Sequence, residues 1–153
     1  MLQNLSIEPS ISIIIASIGN IELALALKNV ESIINPKEFE HNPIVEKYEG
    51  NCFILNNHTF PIIDLHKMLQ LEMNCDSEFL RLLLLEFNNV QFGFFVEEIK
   101  EIAILREVTF DPKYNQTNFN NSYIKSMIKF EERSLLLPDF EKIINTIVDK
   151  TIQ

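Results

Sequence analysis

The stretch from Ile11 to Ile34, ISIIIASIGNIELALALKNVESII, decides the fold because the chain writes it again from Leu80 to Leu105, 69 positions later. Apolar falls on apolar: Ile13 on Leu82, Ile18 on Phe87, Leu25 on Phe94, Val30 on Ile99 and Ile33 on Ile102. Gly19-Asn20 falls on Asn88-Asn89, each a short polar break between apolar runs, and Ala24 falls on Gly93. Further along the offset becomes 75, and Tyr48/Tyr123, Phe53/Ile128, Leu55/Phe130, Asp64/Asp139, Leu65/Phe140, Lys67/Lys142 and Leu69/Ile144 coincide. Six extra residues in the second connector account for the change, so connector 103–122 is expected to be longer than connector 35–47. Each repeat reads as apolar run, tight turn, apolar run, connector, hairpin and a short helix opened by aspartate. Function is therefore to be sought between two similar lobes.

The turn residues set the local structure. Gly-Asn and Asn-Asn supply the positive-φ positions that two-residue hairpin loops need, so 11–18 and 80–87 each open a hairpin. Leucine is a good helix former and a helix competes for 80–87, but the matching run ISIII is rich in β-branched residues and favours a strand in both repeats. The second run of each repeat begins with period-two alternation and then shifts to spacings of three, which predicts a bulge or bend near Lys28 and Glu97. A second hairpin encloses Asn56-Asn57-His58 in one repeat and Glu131-Glu132-Arg133 in the other. Pro61 and Pro138 cannot donate a ladder hydrogen bond and belong at strand ends or edges. Asp64 and Asp139 are placed to accept from the free N–H groups of a first helical turn.

Composition excludes several classes. A chain of 153 residues with 46% hydrophobic and 23% charged residues has a globular balance, and one of this length buries roughly 70% of its unfolded surface without staples. A formal net charge of −9 works against sequence-independent nucleic-acid binding, which needs Lys and Arg on phosphates. MLQNLSIEPS has neither a basic region nor a cleavable apolar core, and no apolar run approaches the ~20 residues that span a bilayer, so a cytoplasmic protein is expected. Cys52 and Cys75 lack Cys-x-x-Cys spacing and are read as reduced thiols.

No catalytic or metal constellation stands out. The duplicated Asp64 and Asp139 read as helix caps in preference to paired acid–base carboxylates. His41, His58 and His66 lack metal-ligand spacing and are read as surface residues. Gly19, Gly50 and Gly93 are too scattered for a phosphate loop, and Glu97, Glu98 and Glu101 read as a solvated face. The expectation is no catalytic residue, no metal and no cofactor.

The motifs LALKNVESI (25–33), FPIIDLHKML (60–69), FGFFVEEIKEI (92–102), YIKSMIKF (123–130) and LLLPDFEKII (135–144), in this order and duplicated, closely resemble the CheW-like family of chemotaxis coupling proteins across about Ser10 to Ile147. The resemblance implies a mainly β fold: one domain over 1–153 with two SH3-like five-stranded barrel lobes, the repeats being 11–69 and 80–144, and short helices. It also implies an adaptor without catalysis that couples the cytoplasmic tip of a methyl-accepting receptor to the regulatory domain of a CheA-type histidine kinase. A groove between the lobes receives the receptor, and outer barrel surfaces meet the kinase. Carried over position by position, the partner-binding candidates are Val30, Glu31, Asn51, Asn56 and Ile99. The chain departs from the family where an arginine turn reads Asn56-Asn57, where Ser32 replaces a glutamate beside Glu31, and where Ser126 replaces a glycine. These departures leave an alternative open, a CheW-fold module that docks a different signalling protein without conventional receptor coupling.

Overall fold

The computed structural model describes residues 10–39, 52–74, 76–106, 108–110 and 121–152. Among the described residues eleven strands follow in chain order: β1 (Ile11–Ile18), β2 (Ile21–Ala26), β3 (Val30–Ile34), β4 (Cys52–Leu55), β5 (His58–Pro61), β6 (Arg81–Phe87), β7 (Val90–Val96), β8 (Glu98–Leu105), β9 (Thr109–Phe110), β10 (Ile124–Phe130) and β11 (Arg133–Pro138). Two helices, α1 (Leu65–Met68) and α2 (Phe140–Ile152), close the repeats. The run 80–87 is strand over Arg81–Phe87, as the β-branched match predicted.

The hairpins form where the turn dipeptides stand. Asn56 and Asn57 lie at φ 50° and 68°, Asn88 and Asn89 at 50° and 64°, and Glu131 and Glu132 at 49° and 67°. Two successive positive-φ residues define the turn whose twist matches that of the flanking strands. Gly19 alone is positive in its turn, at φ 59°, and a Cβ added to it would lie 2.9 Å from the Leu71 Cβ. Pro61 and Pro138 end β5 and β11. Asp64 Oδ1 accepts from the Lys67 N–H at 3.0 Å, and Asp139 Oδ1 from the Lys142 N–H at 3.2 Å, so both aspartates cap. The helices differ in length because α1 is stopped. Gln70 takes φ 60°, its N–H reaches the Lys67 carbonyl, and the Leu71 N–H reaches back to the His66 carbonyl at 2.7 Å, which is a Schellman stop.

The sheets do not follow the repeats. The larger sheet runs β8-β1-β2-β11-β10-β9, so the first hairpin of repeat one pairs with strands of repeat two. Reciprocally, β6 and β7 of repeat two pair with β3 and reach the β4-β5 hairpin of repeat one, through a parallel Ile62–Gly93 bridge and an Ile63 N–H to Gly93 carbonyl bond of 2.9 Å. Each lobe therefore holds five strands drawn from both repeats, and β9 adds a sixth, two-residue strand to one of them. The registers match residue for residue. Ile13, Ile14, Ile15 and Ala16 of β1 face Ala103, Ile102, Glu101 and Ile99 of β8, while Leu82, Leu83, Leu84 and Leu85 of β6 face Ile34, Ile33, Ser32 and Val30 of β3. Both pairings skip one residue, Lys100 and Glu31, which are themselves 69 apart. These bulges, with the 3-10 turn Leu27–Asn29 and the bend at Glu97, answer the change of spacing seen in the sequence. Connector 103–122 is partly strand, since β8 runs to Leu105 and β9 follows; most of its remainder and most of 35–47 lie outside the described residues.

Three cores result. Ile13, Ile15, Leu105, Ile128 and Leu135 fill one barrel, and Ile34, Phe53, Phe60, Leu82 and Leu84 fill the other. The largest lies between the lobes, where Ile14, Leu25, Leu83, Phe92 and Phe94 meet Leu65 and Leu69 of α1 and Phe140 and Ile143 of α2. Phe140 stacks at a tilt on Phe87 and Phe92, at 5.7 and 5.6 Å. At ~1.5–3 kcal/mol per buried large apolar side chain, this shared core welds the lobes together.

Candidate partner-binding site

Val30 and Ile99 occupy equivalent places. Val30 opens β3 opposite Leu85, Ile99 lies on β8 opposite Ala16, and both are half-buried against the core shared by the lobes. Glu31 is the exposed residue of the β3 bulge beside Val30. Asn56 sits apart from them, exposed at the tip of the β4-β5 hairpin, whose side chains serve the other core. Asn51 lies outside the described residues. The structure thus brings Val30 and Ile99 to one core and leaves Asn56 on a separate hairpin.

Reasoning from the residues missed two further residues on the same face of those strands. Ile33 and Ile102, also 69 apart, face Leu83 and Ile14 in the ladders and yet are 41% and 59% exposed. The signal was available in the repeat, which lays Ile33 on Ile102. Isolated exposed apolar residues are ordinary, whereas this pair is duplicated beside the inter-lobe core.

Two polar readings need correction. His66 is not on the surface: it is 3% exposed, and its Nε2 contacts the Glu97 carboxylate. Glu97 is likewise not on a solvated face, being 8% exposed, and its second oxygen accepts the Gly19 N–H at 2.8 Å. The Glu97 N–H reaches the Ser17 carbonyl at 2.9 Å, and its own carbonyl accepts from Ser77 Oγ at 3.0 Å. Burial of Glu97 is tolerable because both carboxylate oxygens and both of its backbone groups are matched. His58 is exposed, and His41 lies outside the described residues. Glu101 is half-buried and accepts from Arg133, whose guanidinium also lies 3.7 Å from Glu22 and 5.5 Å from the centre of the Phe130 ring. The hydrogen bond that Arg133 donates to Glu101 holds its guanidinium above its already high range, against the opposing pull of desolvation.

The clefts offer little chemistry. Cavities of about 590, 420 and 270 Å³ all share Met73 as a wall and border α1 and the chain that follows it. The carboxylate of Glu97 at the largest is already spent on His66 and Gly19. Among the described residues no group of three or more His, Cys, Asp or Glu could hold a metal ion, and Cys52 is a free, half-buried thiol. No helix among the described residues is long and apolar enough to cross a membrane.

Comparison with known proteins bears on the same residues. The model of the CheW-like domain family matches residues 12–148. The Chemotaxis protein CheW of Helicobacter pylori (strain ATCC 700392 / 26695) is 24% identical over 127 residues, covering 83% of this chain and 77% of that protein. The crystal structure of the scaffolding protein TtCheW from Thermoanaerobacter tengcongensis superposes with a TM-score of 0.65 at 16% identity, over 85% of this chain and 89% of that one, and shares its fold. With a family match spanning nearly all of the described strands and the duplicated, mainly β two-lobed architecture behind it, this chain belongs to the CheW-like domain family, the family of the chemotaxis coupling proteins.

Proposed function

We propose that this chain is a non-catalytic cytoplasmic adaptor that couples a methyl-accepting receptor tip to a CheA-type histidine kinase. The observation that carries it is the CheW-like match across 12–148, on a structure whose exposed apolar residues recur at equivalent places in both lobes. Val30 and Ile99 with Ile33 and Ile102 are the apolar contacts offered to the receptor, and Glu31 lies beside them. The kinase's regulatory domain, of the same fold, is met through exposed barrel surfaces. Such apolar contacts are only weakly screened by salt. The test is reconstitution of purified kinase, receptor signalling fragment and this chain. Kinase autophosphorylation that responds to the receptor only when the chain is added supports the reading. No dependence on the chain, or a complex lost at about molar salt where the screening length is ~3 Å, overturns it.

One observation favours the second reading, a module serving a different signalling protein. The exposed β4-β5 turn presents the neutral amide of Asn56 at φ 50° where the family resemblance implies an arginine. An amide cannot make the bidentate, permanently charged pair with a carboxylate that a guanidinium makes.

A further inference from the structure

Among the described strands the chain passes between the lobes twice. β1 and β2 belong to one lobe, β3 to β7 to the other, and β8 to β11 to the first again. The strands within 30–96 therefore form an insert, joined to the rest by two crossovers. One is the 3-10 turn Leu27–Asn29 centred on Lys28, the other is the bend at Glu97, and Lys28 and Glu97 are 69 positions apart. Each crossover delivers a partner-contact candidate two residues later, Val30 from the first and Ile99 from the second.

The two joints are each other's control. At the first, Lys28 is exposed and Asn29 Nδ2 donates to the Glu86 carbonyl at 3.0 Å. At the second, the Glu97 N–H reaches the carbonyl of Ser17, the residue 69 before Glu86, so the backbone anchor is common to both. Glu97 adds burial and three further contacts. Its carboxylate accepts the Gly19 N–H of the β1-β2 turn and meets His66 Nε2 of α1, and its carbonyl accepts from Ser77 Oγ. Burying a carboxylate is costly even when it is paired, and the exposed Lys28 shows that a crossover can be made without it. The joint as such does not require the buried charge.

We infer that Glu97 is a positioning residue: gripped by His66 and the Gly19 N–H, it fixes the angle between the lobes and so the place at which Ile99 is presented to the receptor tip. The partner named here rests on the adaptor reading, whereas the fixing of the angle does not. The apolar core between the lobes is non-directional and holds them together without selecting one angle. Hydrogen bonds to a carboxylate are charge-assisted and directional, and they do select. Glu97 arrives from β7 of the inserted lobe, and its bonds run to β1 and the β1-β2 turn of the other lobe and to α1 in the core between them. A swing of one lobe against the other must break them, and the first residues of β8, Ile99 included, would move with the bend.

Two substitutions at His66, which is not among the proposed contact residues, test this. His66→Leu removes the donor, and His66→Gln keeps a side-chain N–H of similar reach. Residual dipolar couplings of backbone amides in the two lobes report the angle, and titrations with a receptor tip and with the kinase's regulatory domain report affinity. His66→Leu should change the angle and weaken receptor binding roughly tenfold while leaving kinase binding as it is, and His66→Gln should preserve all three. A folded His66→Leu with the wild-type angle overturns the inference. So does equal weakening of both partners, which is what a general loss of stability gives, or a His66→Gln protein that behaves like His66→Leu. Should His66→Leu not fold, Glu97→Gln, uncharged and of the same size, takes its place, and a wild-type angle in that variant overturns the inference. If the wild type binds no receptor tip, the adaptor reading fails and the couplings alone decide whether Glu97 fixes the joint.

Discussion

At the scale of single residues, Glu97 is where the chain converges: α1 reaches it through His66, the β1-β2 turn through Gly19, and the segment before β6 through Ser77. Removing one member of a buried, hydrogen-bonded pair leaves the other uncompensated, which costs about 3–5 kcal/mol. Glu97→Ala should lower stability by that amount, read as a lower urea midpoint with an unchanged slope. A loss below about 1 kcal/mol, the worth of an exposed pair, would show that the contact does not hold the fold. In the adaptor reading proposed above Asn56 serves recognition instead, its side chain being exposed at a hairpin tip. Asn56→Arg should strengthen binding to a conventional receptor tip by up to about 1 kcal/mol, roughly fivefold, as an exposed guanidinium–carboxylate pair allows. Titration of wild type and variant against receptor tips checks this, and equal affinities in every pairing would place Asn56 outside the interface.

At the scale of elements, the turns were the legible part and the partners of the strands were not. Gly19-Asn20, Asn56-Asn57 and Asn88-Asn89 announce their hairpins by residue type, and Asp64 and Asp139 announce their helices. Glu131-Glu132 carries no such signal and was placed only by its match to Asn56-Asn57, yet it adopts the same pair of positive φ angles. Left-handed backbone costs a side-chain-bearing residue about 1–2 kcal/mol, less for asparagine and nothing for glycine. Replacing Glu131-Glu132 by Asn-Gly should therefore raise stability by about 1–2 kcal/mol without moving β10 or β11, checked by denaturation midpoint and by unchanged amide shifts outside the turn. His66 and Glu97 escaped the sequence for a different reason. They are 31 positions apart, and a polar residue in an apolar run looks solvent-facing until its partner arrives from another element.

At the scale of the whole molecule, the exchange of hairpins between repeats explains why lobes could be foreseen but not their membership. Periodicity says which residues face a core, whereas it is silent on which of two near-identical repeats supplies the neighbouring strand. Here β1-β2 lies against β8 and β11, and β6-β7 lies against β3 and the β4-β5 hairpin, so neither repeat owns a complete lobe. The shared core adds side chains from both repeats and both helices, with Phe140 of the last helix on Phe87 and Phe92 of the third hairpin. Unfolding one lobe must strip the shared core from the other, which makes a single cooperative transition the expected behaviour. Cutting the chain between the repeats should then leave two fragments, 1–75 and 76–153, that each expose half of every core. Each should lack a cooperative thermal transition when alone, and an equimolar mixture should regain strand circular dichroism and one transition near that of the intact chain. A fragment that folds by itself would mean that a repeat can complete a barrel from its own strands, and the reciprocal pairing of β1-β2 and β6-β7 would no longer be what holds the lobes together.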